Sequence, residues 1–307
     1  MMIGREAKLK QGKWSILLLF ILAAITLAGC GKDAVNENVL ASEAAAKKKE
    51  KKQSVLADKP VVLHGLGFIE GHMVTNSIEA FTANYDRGFR VFEVDLQMTS
   101  DNRLIARHDW ELVHYEWLGQ EVPEVGGPKP FDEIMPMKIH GKYTAPSWEQ
   151  ILELMQKYPD AYFVTDTKDK EEEIVRQSFS YLVEATKKVD PELLDRVIPQ
   201  IYDKPMLGYI KDYHDFNEVI YTLYKHTNED IPTPKDLAEW SAANNVTAIT
   251  ALPFRLTEEM QAALNEKNIT IYTHTINKPE HAEAYRSRGW GIYTDYLLYD
   301  GENYIAP

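Results

Sequence analysis

The chain has 307 residues, with 44% hydrophobic residues, 26% charged residues and a single cysteine. That length suits one large domain or two small ones, and the composition excludes a polytopic membrane protein, a mainly disordered chain, an intramolecular disulfide and a cysteine-based zinc site. The formal net charge of −13 argues against a nucleic-acid partner, which needs a basic face to meet phosphates.

The N-terminus reads as an address. Arg5, Lys8, Lys10 and Lys13 precede an apolar run over residues 16–28. The run is too short for a comfortable membrane span and fits the apolar part of a signal peptide. It ends in Leu27-Ala28-Gly29-Cys30, which resembles a bacterial lipobox. The resemblance implies removal of residues 1–29, lipidation of Cys30 and an extracytoplasmic protein anchored to the bacterial membrane. The alternative is a short core helix with a chance cysteine. Residues 30–58 are rich in Ala, Lys, Glu, Ser and Asn, with no apolar period, and read as a solvated tether. Residues 1–58 carry ten Lys/Arg against six Asp/Glu. The remainder, 24 basic against 41 acidic residues, stands at −17 and is not drawn to anionic lipid by charge alone.

A folded region is expected over 59–307, where β-branched and aromatic runs alternate with helical patterns. Strands are expected at 61–67, 91–98, 161–167, 197–202, 218–224, 247–252, 269–275 and 291–294. Apolar residues at helical spacing mark helices at 77–87, 148–157, 171–188, 234–244, 257–266 and 279–288, with a weaker one at 205–212. Eight strands with helical connections in about 249 residues fit an α/β (β/α)8 TIM barrel. An open doubly wound sheet is the alternative, and no dinucleotide or P-loop glycine pattern follows the first strand to favour it.

In a barrel, chemistry belongs at the C-terminal ends of the strands. His64, Glu93 with Asp95, Asp166 with Lys168, Gln200, His274 and Asp295 all fall there, and an extension over 104–110 carries His108 and Asp109. Glu93 and Asp95, two apart on a strand, face the same side. Buried side by side they need a shared proton or a cation, and with Asp166 they form an oxygen-rich site suited to Ca2+ or Mg2+. His64 and His108 suit paired proton transfer, and Lys168 adds positive charge. Gln200 and His274 are candidates for substrate binding. Each histidine taken alone reads first as a hydrogen-bonded structural residue. Asn76 reads as a helix N-cap with Glu79 three residues on, in a capping box. That arrangement is also compatible with phosphate binding at a helix N-terminus.

These residues resemble a known family. His64-Gly65-Leu66-Gly67, then residues 75–81 (TNSIEAF), 88–95 (GFRVFEVD) and 99–109 (TSDNRLIARHD) are similar to the opening of a glycerophosphodiester phosphodiesterase. The wider superfamily includes the phosphatidylinositol-specific phospholipases C. Residues 144–149, Asp166-Thr167-Lys168, residues 274–277 and Tyr293-Thr294-Asp295 fit later pieces in order. The resemblance implies a phosphodiesterase barrel, with His64 and His108 as the acid/base pair. It makes Glu93, Asp95 and Asp166 metal ligands and Lys168 a phosphate contact. Residues 111–146 correspond to an insertion over the site, where Trp110, Tyr115 and Trp117 would shape specificity or simply pack on a loop. The implied partner is a small-molecule or lipid-headgroup phosphodiester.

Four positions depart from the pattern: Gly65 for the usual Arg, Thr75 for Glu, Asp166 for Glu and His274 for Trp. The leading expectation is metal-dependent hydrolysis at the outer face of the membrane. The alternatives are a phospholipase-C-like lyase giving a cyclic phosphate, a non-catalytic binding protein for phosphorylated or polyol ligands, and a glycosidase-type barrel built on Glu93 and another carboxylate.

Overall fold

The computed structural model describes residues 54–307. Cys30, the signal-like segment and most of the stretch read as a tether lie outside the described residues. Eight parallel strands close on themselves: β1 (Val61–Leu63), β2 (Val91–Met98), β4 (Tyr162–Asp166), β5 (Val197–Ile201), β6 (Ile220–Thr222), β7 (Ala248–Ala251), β8 (Thr270–Thr273) and β9 (Gly291–Thr294). Each pairs with the next, and β1 pairs with both β9 and β2, so the (β/α)8 barrel is complete. β3 (Leu104–Ala106) runs antiparallel along the far end of β2. It is the extension expected over 104–110, shortened so that His108 and Asp109 follow it in a loop.

The alternation of side chains along each strand separates two cores. Val62, Val91, Val164, Ile198, Ile220, Ala248, Tyr272 and Tyr293, one from each barrel strand, pack together inside the barrel. The neighbours of the opposite parity, such as Leu63, Phe92, Phe163, Ile249 and Ile292, pack outward against the helices. Gly291 is glycine because a Cβ there would come within 2.4 Å of the Tyr272 ring that fills the interior.

Helices α2 (Ile78–Arg87), α5 (Trp148–Lys157), α6 (Glu172–Val189), α7 (Lys204–Lys211), α8 (Pro234–Ala243), α9 (Glu258–Glu266) and α10 (Pro279–Arg286) form the outer layer, close to the expected positions. In α5 a capping box of Ser147 and Gln150 satisfies the first turn, and Trp148, Ile151, Leu152 and Met155 form the buried face. The insertion contributes two short helices, α3 (Leu112–Trp117) and α4 (Phe131–Ile134). A terminal hairpin pairs β10 (Leu298–Tyr299) with β11 (Tyr304–Ile305).

Two expectations are corrected. A helix α1 (Val55–Asp58) lies in the stretch read as a tether, so the packed chain starts before residue 59. Its Leu56 is buried in the barrel interior, and Glu218 accepts hydrogen bonds from Ser54 Oγ at 2.7 Å and from the backbone N–H groups of Val55 and Leu56. Asn76 is not the cap of α2. Ser77 is, because the Asn76 side chain is committed to Asp95, and Glu79 bonds Thr144 instead of closing a capping box.

Candidate active site

The inward parity that is apolar at the barrel base turns polar at the C-terminal ends. On β2 it runs Val91, Glu93, Asp95, and Asp95 lies in register with Asp166 on β4. Glu93, Asp95 and Asp166 are all buried, and one oxygen from each lies within 4.8 Å of the others. Glu93 Oε2 accepts the Gly65 N–H at 2.6 Å, while its Oε1 is buried with no hydrogen-bond partner. Asp95 Oδ2 accepts from Asn76 Nδ2 at 2.7 Å, and the Asp95 N–H donates back to Asn76 Oδ1. Lys168 Nζ stands 2.5 Å from Asp95 Oδ1 and 2.7 Å from Asp166 Oδ2. Asp166 Oδ1 accepts from the Tyr202 hydroxyl at 2.5 Å and the Lys168 N–H at 3.0 Å.

Three carboxylates crowd one ammonium in a buried site. Burial and the Asp95 charge hold the Glu93 carboxyl well above its usual range. Burial would raise Asp95 as well, but Lys168 and His64 overcome it and keep Asp95 low. Burial opposes the Lys168 charge, and Asp166 and Asp95 override it, so Lys168 is held firmly protonated. The donor set is all oxygen, and the orphaned Glu93 Oε1 lacks a positive partner, so these residues fit a hard divalent cation. Lys168 and Asn76 both hold left-handed backbone, at φ 62° and 50°. Such conformations cost about 1–3 kcal/mol each and cluster where a site over-determines them.

Two histidines share a cavity of about 360 Å³ with Glu93, Asp166 and Lys168. His64 Nδ1 lies 2.8 Å from Asp295 Oδ1, and Asp295 is itself fixed by Asn277 through a side-chain bond and a 2.9 Å backbone bond. His108 Nδ1 lies 2.6 Å from Asp109 Oδ2. Each ring is thus oriented by a carboxylate on one nitrogen, leaving Nε2 for a reacting group. Burial pulls His64 down, but the Asp295 bond and the charges of Glu93 and Asp95 push it up to about 9.

The remaining wall is partly as expected. Gln200 and His274 line the cavity. Gln200 Oε1 accepts from the Tyr293 hydroxyl at 3.1 Å, and His274 Nδ1 lies 2.8 Å from Thr250 Oγ1. Burial, with His64 nearby, lowers His274 to about 4. Asn76, read as a substrate contact, does not line the cavity, because both ends of its amide hold Asp95. Trp110 and Tyr115 are buried in a small cluster of the insertion, and Trp117 is exposed without lining the cavity. Sequence reasoning missed Tyr202, Thr222, Tyr224 and Lys225, which also line the cavity. The first three sit at the parity that marked Gln200, so the same rule points to them. No pattern marked Lys225, whose Nζ donates to the Lys168 carbonyl and lies 4.6 Å from the centre of the Tyr202 ring. Gly65 has φ +54°, and a Cβ there would meet Val74 Cγ1 at 2.3 Å. This backbone leaves no room for an Arg side chain at that position.

A sequence model of the glycerophosphoryl diester phosphodiesterase family matches residues 69–298. No curated protein sequence matches. Solved structures share the fold at low identity. A putative glycerophosphoryl diester phosphodiesterase from Silicibacter pomeroyi is 18% identical with a TM-score of 0.63, covering 78% of this chain and 90% of that one. An Oleispira antarctica phosphodiesterase in complex with the product sn-glycerol-3-phosphate is 15% identical with a TM-score of 0.61, covering 76% and 92%. A glycerophosphodiester phosphodiesterase from Thermotoga maritima is 18% identical with a TM-score of 0.57, covering 77% and 94%.

Proposed function

The chain belongs to the glycerophosphoryl diester phosphodiesterase family, and from that premise we propose that it cleaves a glycerophosphodiester in the cavity above Glu93, Asp95 and Asp166, using His64 and His108 as the proton-transfer pair. It is a phosphoric diester hydrolase by family. One observation carries the residue-level reading: Glu93, Asp95 and Asp166 form one buried cluster, and two of them line a single cavity together with two carboxylate-oriented imidazoles.

The diester lies with its phosphoryl group between the two imidazoles. One ring takes the proton of the attacking hydroxyl or water, and the other gives a proton to the departing alcohol. Asp295 and Asp109 hold the two rings and stabilise the imidazolium that forms. Glu93, Asp95 and Asp166 would hold a Ca2+ or Mg2+ ion, which supplies charge neutralisation at the phosphoryl oxygens and a lowered pKa for a bound hydroxyl. Lys168 adds a fixed positive charge beside the same oxygens. With Gly65 unable to supply a cation, Lys225 at the rim is the further positive group available to the substrate. Gln200, Thr222 and His274 offer polar contacts to the alcohol portions.

The test is turnover of sn-glycero-3-phosphodiesters and of phosphatidylinositol, with the products identified. We expect glycerol phosphate and a free alcohol from the glycerophosphodiester. His64→Ala and His108→Ala should each lose on the order of 10²–10⁴-fold while remaining folded at the assay temperature. A cyclic phosphate as final product would instead favour the phospholipase-C-like lyase. Full turnover in either variant would remove the assigned histidine from the mechanism.

The lipobox-like segment ending at Cys30 supports a lipid-anchored, extracytoplasmic enzyme. Expressed in a bacterium, the full chain should fractionate with membranes and incorporate labelled palmitate. Cys30→Ser should do neither. An unlabelled wild-type chain would contradict the anchor.

A further inference from the structure

Beside the oxygen site lies a second, chemically different cluster. His108 follows β3, Asp109 is its neighbour, and His114 sits on α3 of the insertion. Both imidazoles direct Nδ1 at the same carboxylate oxygen: Asp109 Oδ2 lies 2.6 Å from His108 Nδ1 and 3.9 Å from His114 Nδ1. One ligand atom from each of the three residues lies within 4.8 Å of the others. The cluster is braced. Asp109 Oδ1 accepts the Glu111 N–H at 2.7 Å, which fixes Oδ2 towards the rings. The rings themselves lie 5.3 Å apart, tilted by 32°. His114 is 4% exposed, while His108 at 39% leaves the cluster open on the cavity side.

We propose that His108, Asp109 and His114 form a binding site for a borderline transition-metal ion such as Zn2+, and that its occupancy inhibits the enzyme by taking His108 out of proton transfer. Two imidazoles and one carboxylate, with a position left open to solvent, match the ligands that bind Zn2+ and its neighbours. They match Ca2+ and Mg2+ poorly, since those prefer oxygen. The two sites therefore sort ions by donor chemistry, with hard cations at Glu93, Asp95 and Asp166 and softer ones here. The Arg107 guanidinium opposes a cation nearby, but it is stacked 4.1 Å over the Tyr115 ring and bonded to the Asp109 carbonyl and Gln120 Oε1. Imidazole lone pairs bind such ions through coordination, which one neighbouring charge weakens without abolishing.

The inhibition follows from the two nitrogens of one ring. When an ion takes the Nδ1 lone pair of His108, the ring's one proton resides on Nε2. The nitrogen facing the cavity is then a permanent donor, unable to accept a proton from an attacking hydroxyl. Giving that proton away would leave an anionic imidazolate, so it is also a poor acid. The inhibition, though not the binding, rests on the catalytic role proposed for His108.

The test uses the purified full chain with its oxygen site saturated by Ca2+. Zn2+ is titrated against a chromogenic chelator while turnover is followed in parallel. We expect one Zn2+ to bind and turnover to fall with the same midpoint. His114→Gln should weaken binding at least tenfold and raise the inhibitory midpoint equally. His108→Gln, which removes the other imidazole, should also lose the ion and guards against a folding defect in the first variant. Binding of Zn2+ that neither substitution weakens, or no binding at all, would overturn the site. Binding that both substitutions abolish, with turnover indifferent to Zn2+, would keep the ion site but overturn the inhibition and the role given to His108.

Discussion

His64 is where most of the site's charge converges. Burial favours the neutral ring, yet Asp295, Glu93 and Asp95 together hold its pKa at about 9. Because the folded value lies above the ordinary 6.5, this proton stabilises the fold fully below about pH 6.5, and the contribution is lost as pH rises towards 9. A histidine NMR titration in chelator should therefore find His64 protonated at neutral pH, and Asp295→Asn should lower its pKa by about one unit or more. Adding the divalent cation should lower it as well, by cancelling the Glu93 and Asp95 charges. A value near 6.5 in chelator, unchanged by Asp295→Asn, would contradict the arrangement. At this scale the chemistry was legible where strand parity alone decides direction. Glu93, Asp95, Asp166 and His64 face inward because they alternate with Val94, Thr165 and Leu63. Asn76 was misjudged because a capping residue and a buried amide clamp look alike in sequence. The difference is set by Asp95, 19 positions away. Tyr202 and Thr222 were missed although the same parity marks them, because an aromatic or hydroxyl residue on a strand reads as packing.

Element boundaries were legible within a few residues wherever a cap or an apolar period marks them, as at Ser147 and along α5. The short elements were not. The four residues of α1 have no amphipathic period of their own, and the partners that hold them, Glu218 and Tyr272, lie more than 160 positions away. Leu56 nevertheless fills the base of the barrel interior. Leu56→Ala should cost about 2–5 kcal/mol in chemical denaturation while turnover at low temperature survives, since the substitution lies at the end opposite the catalytic groups. A variant as stable as wild type would show that α1 packs without holding the barrel. The aromatics of the insertion were open to two readings, shaping specificity or packing on a loop. Trp110 and Tyr115 pack in a small core of their own and Trp117 is exposed, and what the insertion brings near the cavity is His114.

For the whole molecule, one parity of eight strands runs from an apolar base to a polar rim. The closed barrel makes that gradient converge, so residues distant in sequence meet in one cavity. This is why the fold and the carboxylate cluster could be read together: once eight strands close, inward carboxylates at neighbouring strand ends have nowhere to go but towards each other. Most of the cavity wall follows the same strand parity, but Lys225 enters it from a connection that carries no periodic signal. The central claim is that the three inward carboxylates hold the cation on which turnover depends. The most direct measurement is glycerophosphodiester turnover by chelated protein as Ca2+ or Mg2+ is returned, in wild type and in Glu93→Gln. The account predicts no turnover without the cation, recovery on its return, and a Glu93→Gln variant that needs far more cation or fails to recover. Undiminished turnover in chelator, or a Glu93→Gln variant with the wild-type cation dependence, would contradict it.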